Sequence, residues 1–148
     1  MATVSLLDVN LLVALFDSDH VHHDLAHDWF ASEGSKAWAT CAATENGFLR
    51  VLTNPAYHGG ELRLSALAPL LRRFCTSKGH HFWPDTVSLH DSKLFDLSVV
   101  RGHRQVTDVY LLGLARQMDG RLATFDRTMP LNAVIGAKRD LLQVIAPG

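Results

Sequence analysis

The N-terminal run Val4 to Phe16, VSLLDVNLLVALF, is apolar except for Asp8 and Asn10. A carboxylate set in such a run costs several kcal/mol if it is buried alone. It needs hydrogen-bond donors, a proton or a metal ion. Any fold open to this chain must therefore bring Asp8 a partner from elsewhere in the sequence.

The rest of the chain shows what that fold is. TVSLLDV reads as a short buried strand, and NLLVALFDSDH carries helical spacing through Leu11, Leu12, Leu15 and Phe16. VHHDLAHDWFASEG is helical, with Val21, Leu25 and Trp29 at steps of four and Gly34 as its stop. KAWATC is a second strand. AATENGFLRVLTNP is a helix that turns Phe48, Leu49 and Leu52 to the core and ends at Asn54-Pro55. YHGGELRL is a loop. SALAPLLRRFCTSKG is a helix from about Ser65, with Pro69 expected in its first turn. HHFWPD is a short strand or extended segment, and SLHDSKLFDLSVV an irregular helix. TDVYLLGLARQMDG is a strong helix, with Val109, Leu112, Ala115 and Met118 in register and Gly120 as its stop. RLATFD and LLQVIA are the closing strands. Alternation of this kind calls for an α/β layer: a mostly parallel sheet, right-handed crossovers and helices on both faces. The 148 residues fit a single domain spanning 1–148 with a real core.

Ligands of open parallel sheets sit outside the carboxyl ends of the strands. Asp8 ends the first strand, Glu45 lies in the first turn after the second, and Asp126 ends the RLATFD strand. Asp108 opens the strong helix, and the chain reversal there can bring it to the same edge. Carboxylates gathered so closely raise one another's pKa and titrate together. A hard divalent cation resolves the repulsion, since Mg²⁺ prefers oxygen ligands and serves phosphoryl chemistry. Each acid also has a plainer reading. Asp126 can cap a turn, Asp108 can favour a helix dipole, and Glu45 can be a solvated helix residue. Asp8 has no such easy structural role.

Composition narrows the partners. The net charge is −1 with neutral histidines, which argues against gripping nucleic acid by overall basicity and leaves room for a local basic rim. The two cysteines, Cys41 and Cys75, form no C-x-x-C pair, so reduced thiols in a cytoplasmic chain are expected. The apolar N-terminal stretch is short and broken at Asp8, which argues against a signal peptide or a membrane span.

LLDVN, ATCAATENGFLRVLTNP, VTDVYLLGLARQMDGRLATFD and LLQVIAPG together resemble the PIN domain, and within it the VapC toxins of type II toxin–antitoxin pairs. The resemblance covers nearly the whole chain. Its most specific part is the order and spacing of Asp8, Glu45, Asp108 and Asp126. It implies a PIN-like three-layer sandwich with a central twisted sheet of four to five strands. It implies a Mg²⁺- or Mn²⁺-dependent endoribonuclease that cleaves RNA with metal-activated water. It further implies a homodimer and a small cognate antitoxin whose C-terminal segment blocks the site. Asp8 and Asp108 are then the metal ligands, Glu45 and Asp126 complete the acidic pocket, and Asn10 and Thr124 support it. The stretch from Tyr57 to Val99 carries no motif.

Other features remain open at this level. His23 and His27 have spacing suited to zinc, and with His20 they can equally form a solvated or interface face. Arg101, His103 and Arg104 precede Asp108 and can grip RNA phosphates if their loop rims the pocket. Arg72 and Arg73 read as a solvated face. Trp29, Trp38 and Trp83 read as core or dimer contacts rather than base-stacking platforms. Two other functions compete with RNA cleavage. One is a phosphohydrolase with an aspartate nucleophile, although DVNLL lacks the second acid two residues on that many such enzymes use. The other is a non-catalytic RNA- or protein-binding domain that keeps a relic pocket.

Overall fold

The computed structural model of the chain describes residues 2–58 and 62–147. Its elements run β1 (Ser5–Leu7), α1 (Val9–Phe16), α2 (His23–Ser32), β2 (Trp38–Cys41), α3 (Ala42–Thr53), α4 (Leu64–Phe74), β3 (His80–Trp83), α5 (Val106–Gln117), β4 (Arg121–Thr124) and β5 (Leu142–Val144). All five strands are parallel, in the order β3-β2-β1-β4-β5. The chain builds outward from β1 to β2 and β3, then crosses back to lay β4 and β5 on the other side. The direction of winding therefore switches at β1, and the carboxyl ends of β1 and β4 flank the crevice where ligands of such sheets bind. The loop expected at 57–64 falls partly on residues 59–61, outside the described ones.

Side chains alternate across the sheet as strand geometry requires. Leu6, Ala39, Cys41 and Leu122 pack towards α5, with Val109, Leu112 and Ala115. Leu7, Trp38 and Ala123 pack on the other face, under α1 to α4, with Leu11, Phe48 and Leu67. The result is a three-layer sandwich whose inner strands β1, β2 and β4 are buried on both faces, which is why they read as apolar runs, whereas the edge strand β3 exposes His81 and Phe82. All three tryptophans are buried in these layers. Arg72 and Arg73 are exposed, and neither cysteine is in a disulfide.

One glycine sets the position of α5. Gly113 lies mid-helix, where alanine would ordinarily be preferred. A Cβ there would lie 2.1 Å from Cζ of Phe95, so the ring rests directly on the helix backbone. Phe95 is held by an antiparallel bridge to Val134.

Three expectations are corrected. The segment 88–100 is not an irregular α-helix; it forms a turn, the Phe95 bridge and a 3-10 turn at Leu97–Val99. Asp91 and Asp96 explain this, because their carboxylates accept from the backbone N–H groups of Lys93 and Ser98 at 2.9 and 3.1 Å. Such local bonds compete with a helical ladder. Pro69 stands in the second turn of α4 rather than the first, because the helix already begins at Leu64. Pro69 is exposed, so the backbone acceptor it leaves free can turn to solvent. Met118 follows the last helical residue and reaches the surface, while Val109, Leu112 and Ala115 are fully buried.

Candidate active site

Asp8 turns out to have a structural role as well as a chemical one. It is the residue between β1 and α1, and it caps the helix: Oδ1 accepts from the N–H of Val9 at 2.8 Å. Its other oxygen, Oδ2, accepts from the hydroxyl of Thr124 at 2.7 Å. Thr124 ends β4, next to β1 in the sheet, so strand pairing brings the two together. The same Thr124 Oγ accepts from the N–H of Asp126 at 3.1 Å. One hydroxyl thus ties the first acid to the backbone of the last.

Burial dominates the titration of Asp8 and raises its pKa; the two hydrogen bonds work the other way, and the charge of Asp126 adds to the rise. Asp108 sits in the first turn of α5, half-buried. Burial pushes its carboxyl up to about 6, with the charges of Asp8 and Asp126 adding to the effect. Asp126 uses Oδ1 to accept from both the backbone and the hydroxyl of Thr128, each at 2.7 Å. It is a turn cap and a member of the acidic group at once. Three aspartates from the ends of β1 and β4 and the start of α5 therefore share one electrostatic field. Among the described residues, no cation is ion-paired with any of them. A set of hard oxygen donors with uncompensated mutual repulsion fits a divalent ion such as Mg²⁺ or Mn²⁺.

Glu45 is placed differently. It lies in the first turn of α3, and its Oε2 accepts from the hydroxyl of Thr40 at 2.7 Å. Thr40 shares its sheet face with Trp38, on the α1–α4 side, whereas Asp108 comes from α5 on the other side. The Thr40 hydroxyl also accepts from Nε2 of His80 at 2.8 Å. Glu45 is thus engaged with a second polar group that sequence reasoning missed. Only its pairing across strands would have revealed it. Asn10 is exposed in the first turn of α1 and makes no side-chain hydrogen bond to the acids. Arg101, His103 and Arg104 are exposed on the turn that runs into α5, just ahead of Asp108. Neither arginine is ion-paired among the described residues.

The histidines at 23 and 27 are structural. A carbonyl can only accept, so Nδ1 of His23 donates to Ala14 at 2.6 Å and Nε2 of His27 donates to Leu15 at 3.0 Å. Together they satisfy carbonyls in the last turn of α1, which that helix cannot pair itself. His20 instead accepts from the N–H of His22 at 3.0 Å and packs, with His22, against Phe125 beside Asp126. Burial holds the His20 pKa below its usual range.

The fold is a parallel five-stranded sandwich with aspartates clustered at its strand ends, and comparison with known proteins gives its family. Residues 5–134 match the PIN domain. Ribonuclease VapC44 of Mycobacterium tuberculosis is 44% identical over 141 residues, covering 95% of this chain and 99% of the relative. Ribonuclease VapC38 of the same organism is 43% identical, covering 83% and 85%, and Ribonuclease VapC39 is 39% identical, covering 89% and 95%. The crystal structure of VapC20 from Mycobacterium tuberculosis, a sarcin–ricin loop cleaving toxin, superposes with a TM-score of 0.60 over 92% of this chain and 99% of that one. At 15% identity that likeness speaks to the fold alone. The chain belongs to the PIN-domain family, within its VapC branch.

Proposed function

We propose that this chain is a divalent-metal-dependent endoribonuclease and the toxin of a type II toxin–antitoxin pair. The observation that carries the reading is the shared field of Asp8, Asp108 and Asp126, with no ion-paired cation among the described residues. Kinship with proteins named as ribonucleases supports the substrate class. Asp8 and Asp108 would hold Mg²⁺ or Mn²⁺, with Asp126 beside them. When bound, such an ion supplies Lewis acidity and neutralises charge developing at a scissile phosphate. Thr124 fixes Oδ2 of Asp8, so that carboxylate stays oriented before substrate arrives. Burial and the neighbouring aspartates, which raise the Asp108 carboxyl, are what a bound cation would offset. Glu45 completes the acidic set by releasing Thr40 or by acting through water. Asn10, two residues after Asp8, supports the pocket as a polar neighbour of that carboxylate. Arg101, His103 and Arg104 grip its backbone phosphates, supplying locally the positive charge that the whole chain lacks.

The same reading includes a homodimer, a cytoplasmic setting and a small antitoxin whose C-terminal segment blocks the pocket. A hollow lined by Phe16, Leu52, Tyr57, Leu67 and Leu70, with Leu62, Leu64 and Leu70 exposed, supports protein partners on the α1–α4 side. No described helix is long and apolar enough to cross a membrane. Mapping the cleavage of total cellular RNA tests the proposal. Wild type should cut with Mg²⁺ or Mn²⁺ and stop with a chelator, and folded Asp8→Asn and Asp108→Asn should be inactive. Cleavage by both variants at the wild-type rate would reject it.

A further inference from the structure

The Glu45 engagement points to a second site. Glu45 from α3, Cys75 at the C-terminal cap of α4 and His80 at the start of β3 bring one ligand atom each within 4.8 Å of one another. All three are partly buried. The donors are a carboxylate oxygen, a sulfur and an imidazole nitrogen, from three separate elements. Mg²⁺ has little use for sulfur, whereas zinc-type ions take S, N and O together in tetrahedral sites. Bond lengths usual for zinc place ligand atoms about 3.4–3.8 Å apart, so side-chain adjustments on the order of 1 Å would close the set. The surroundings already orient it. The Thr40 hydroxyl is hydrogen-bonded to both Glu45 and His80, and the His80 ring packs on Trp38 at 4.6 Å between centroids. Polar partners of this kind hold ligands in productive orientation.

We propose that Glu45, Cys75 and His80 form a site for a borderline-soft divalent ion of the zinc type, distinct from the aspartate cup and open at a fourth position to water. Binding exchanges the Cys75 S–H bond for a metal–sulfur bond and releases that proton to solvent. His23 and His27 each commit one ring nitrogen to an α1 carbonyl, as His80 commits Nε2 to Thr40, but among the described residues they have no third ligand. Occupancy would hold Glu45 against Thr40 and away from the aspartates. This consequence for cleavage rests on the ribonuclease reading above; the site itself does not.

The test uses the full chain, stripped with a chelator and titrated with Co²⁺ as the probe. A single equivalent should bind with a thiolate-to-cobalt charge-transfer band in the near ultraviolet. Zn²⁺ should displace it and Mg²⁺ should not. Cys75→Ser should abolish the band, and Thr40→Val should weaken binding about tenfold or more. Asp8→Asn should leave it unchanged. Because a variant can fail to fold, protection of Cys75 from alkylation by Zn²⁺ in the wild type gives a second readout. A Co²⁺ complex without a thiolate band, a band that survives Cys75→Ser, or no protection of Cys75 would overturn the site. With the band intact, Zn²⁺ should slow RNA cleavage by the wild type but not by Cys75→Ser. Equal sensitivity of the two would overturn the control of Glu45. No cleavage under any condition, with the band present, would fault the ribonuclease reading and leave the metal site standing.

Discussion

Replacing Asp108 by asparagine should stabilise the metal-free protein while destroying its activity. The carboxyl is carried from its ordinary 3.8 to about 6, chiefly by burial and then by Asp8 and Asp126. At about 1.4 kcal/mol per unit, a fully buried group would carry a penalty of about 3 kcal/mol when ionised. Asp108 is only half-buried, and solvent screening reduces this to about 1–2 kcal/mol. The dipole of α5 favours the charge by about 0.5 kcal/mol, which does not reverse the sign. Nor does the substitution break a hydrogen bond, since none to this carboxylate occurs among the described residues. The pKa is raised on folding, so its stabilising effect is full below the ordinary value and is lost as pH rises through about 6. Asp108→Asn should therefore melt about 1–6 °C above wild type near neutral pH in a chelator. The gap should narrow below about pH 6 and close near pH 4. Adding Mg²⁺ should raise the wild-type melting temperature more than the variant's. Thermal melts of both proteins across pH, with and without Mg²⁺, measure all of this. A variant no more stable than wild type at neutral pH, or a gap indifferent to pH, would refute the electrostatic account of the cup.

Thr124→Val leaves a buried Asp8 oxygen without its donor, and chemical denaturation should show a loss of about 1–3 kcal/mol together with slower cleavage. Gly113→Ala improves helix propensity by about 1 kcal/mol yet should destabilise the protein, because its methyl group meets the Phe95 ring; a higher denaturation midpoint would contradict the packing. His23→Ala removes a donor from the Ala14 carbonyl and should cost about 1 kcal/mol by urea titration, with Mg²⁺-dependent cleavage unchanged.

Much of this molecule is legible along the chain. The inner strands β1, β2 and β4 are short apolar runs because both sheet faces are covered there, and α1, α3 and α5 follow their apolar spacing to within a few residues. Asp8 declares itself because an acid in such a run needs a partner, and Thr124 can be named from the motif alone. The segment 88–100 misled because Asp91 and Asp96 bond locally to the backbone, and spacing of apolar residues does not register that competition.

Local pattern and period belong to neighbours in sequence, so the sequence alone determined the layer class and the parallel strands. Distances between remote residues belong to strand order and burial. Only the tertiary structure decided that Asp8, Asp108 and Asp126 share one field, that Glu45 turns to Thr40 and His80, and that His23 and His27 close a helix end. Each of those pairings crosses elements, and its energy depends on which water has been excluded, a property that no stretch of residues carries by itself.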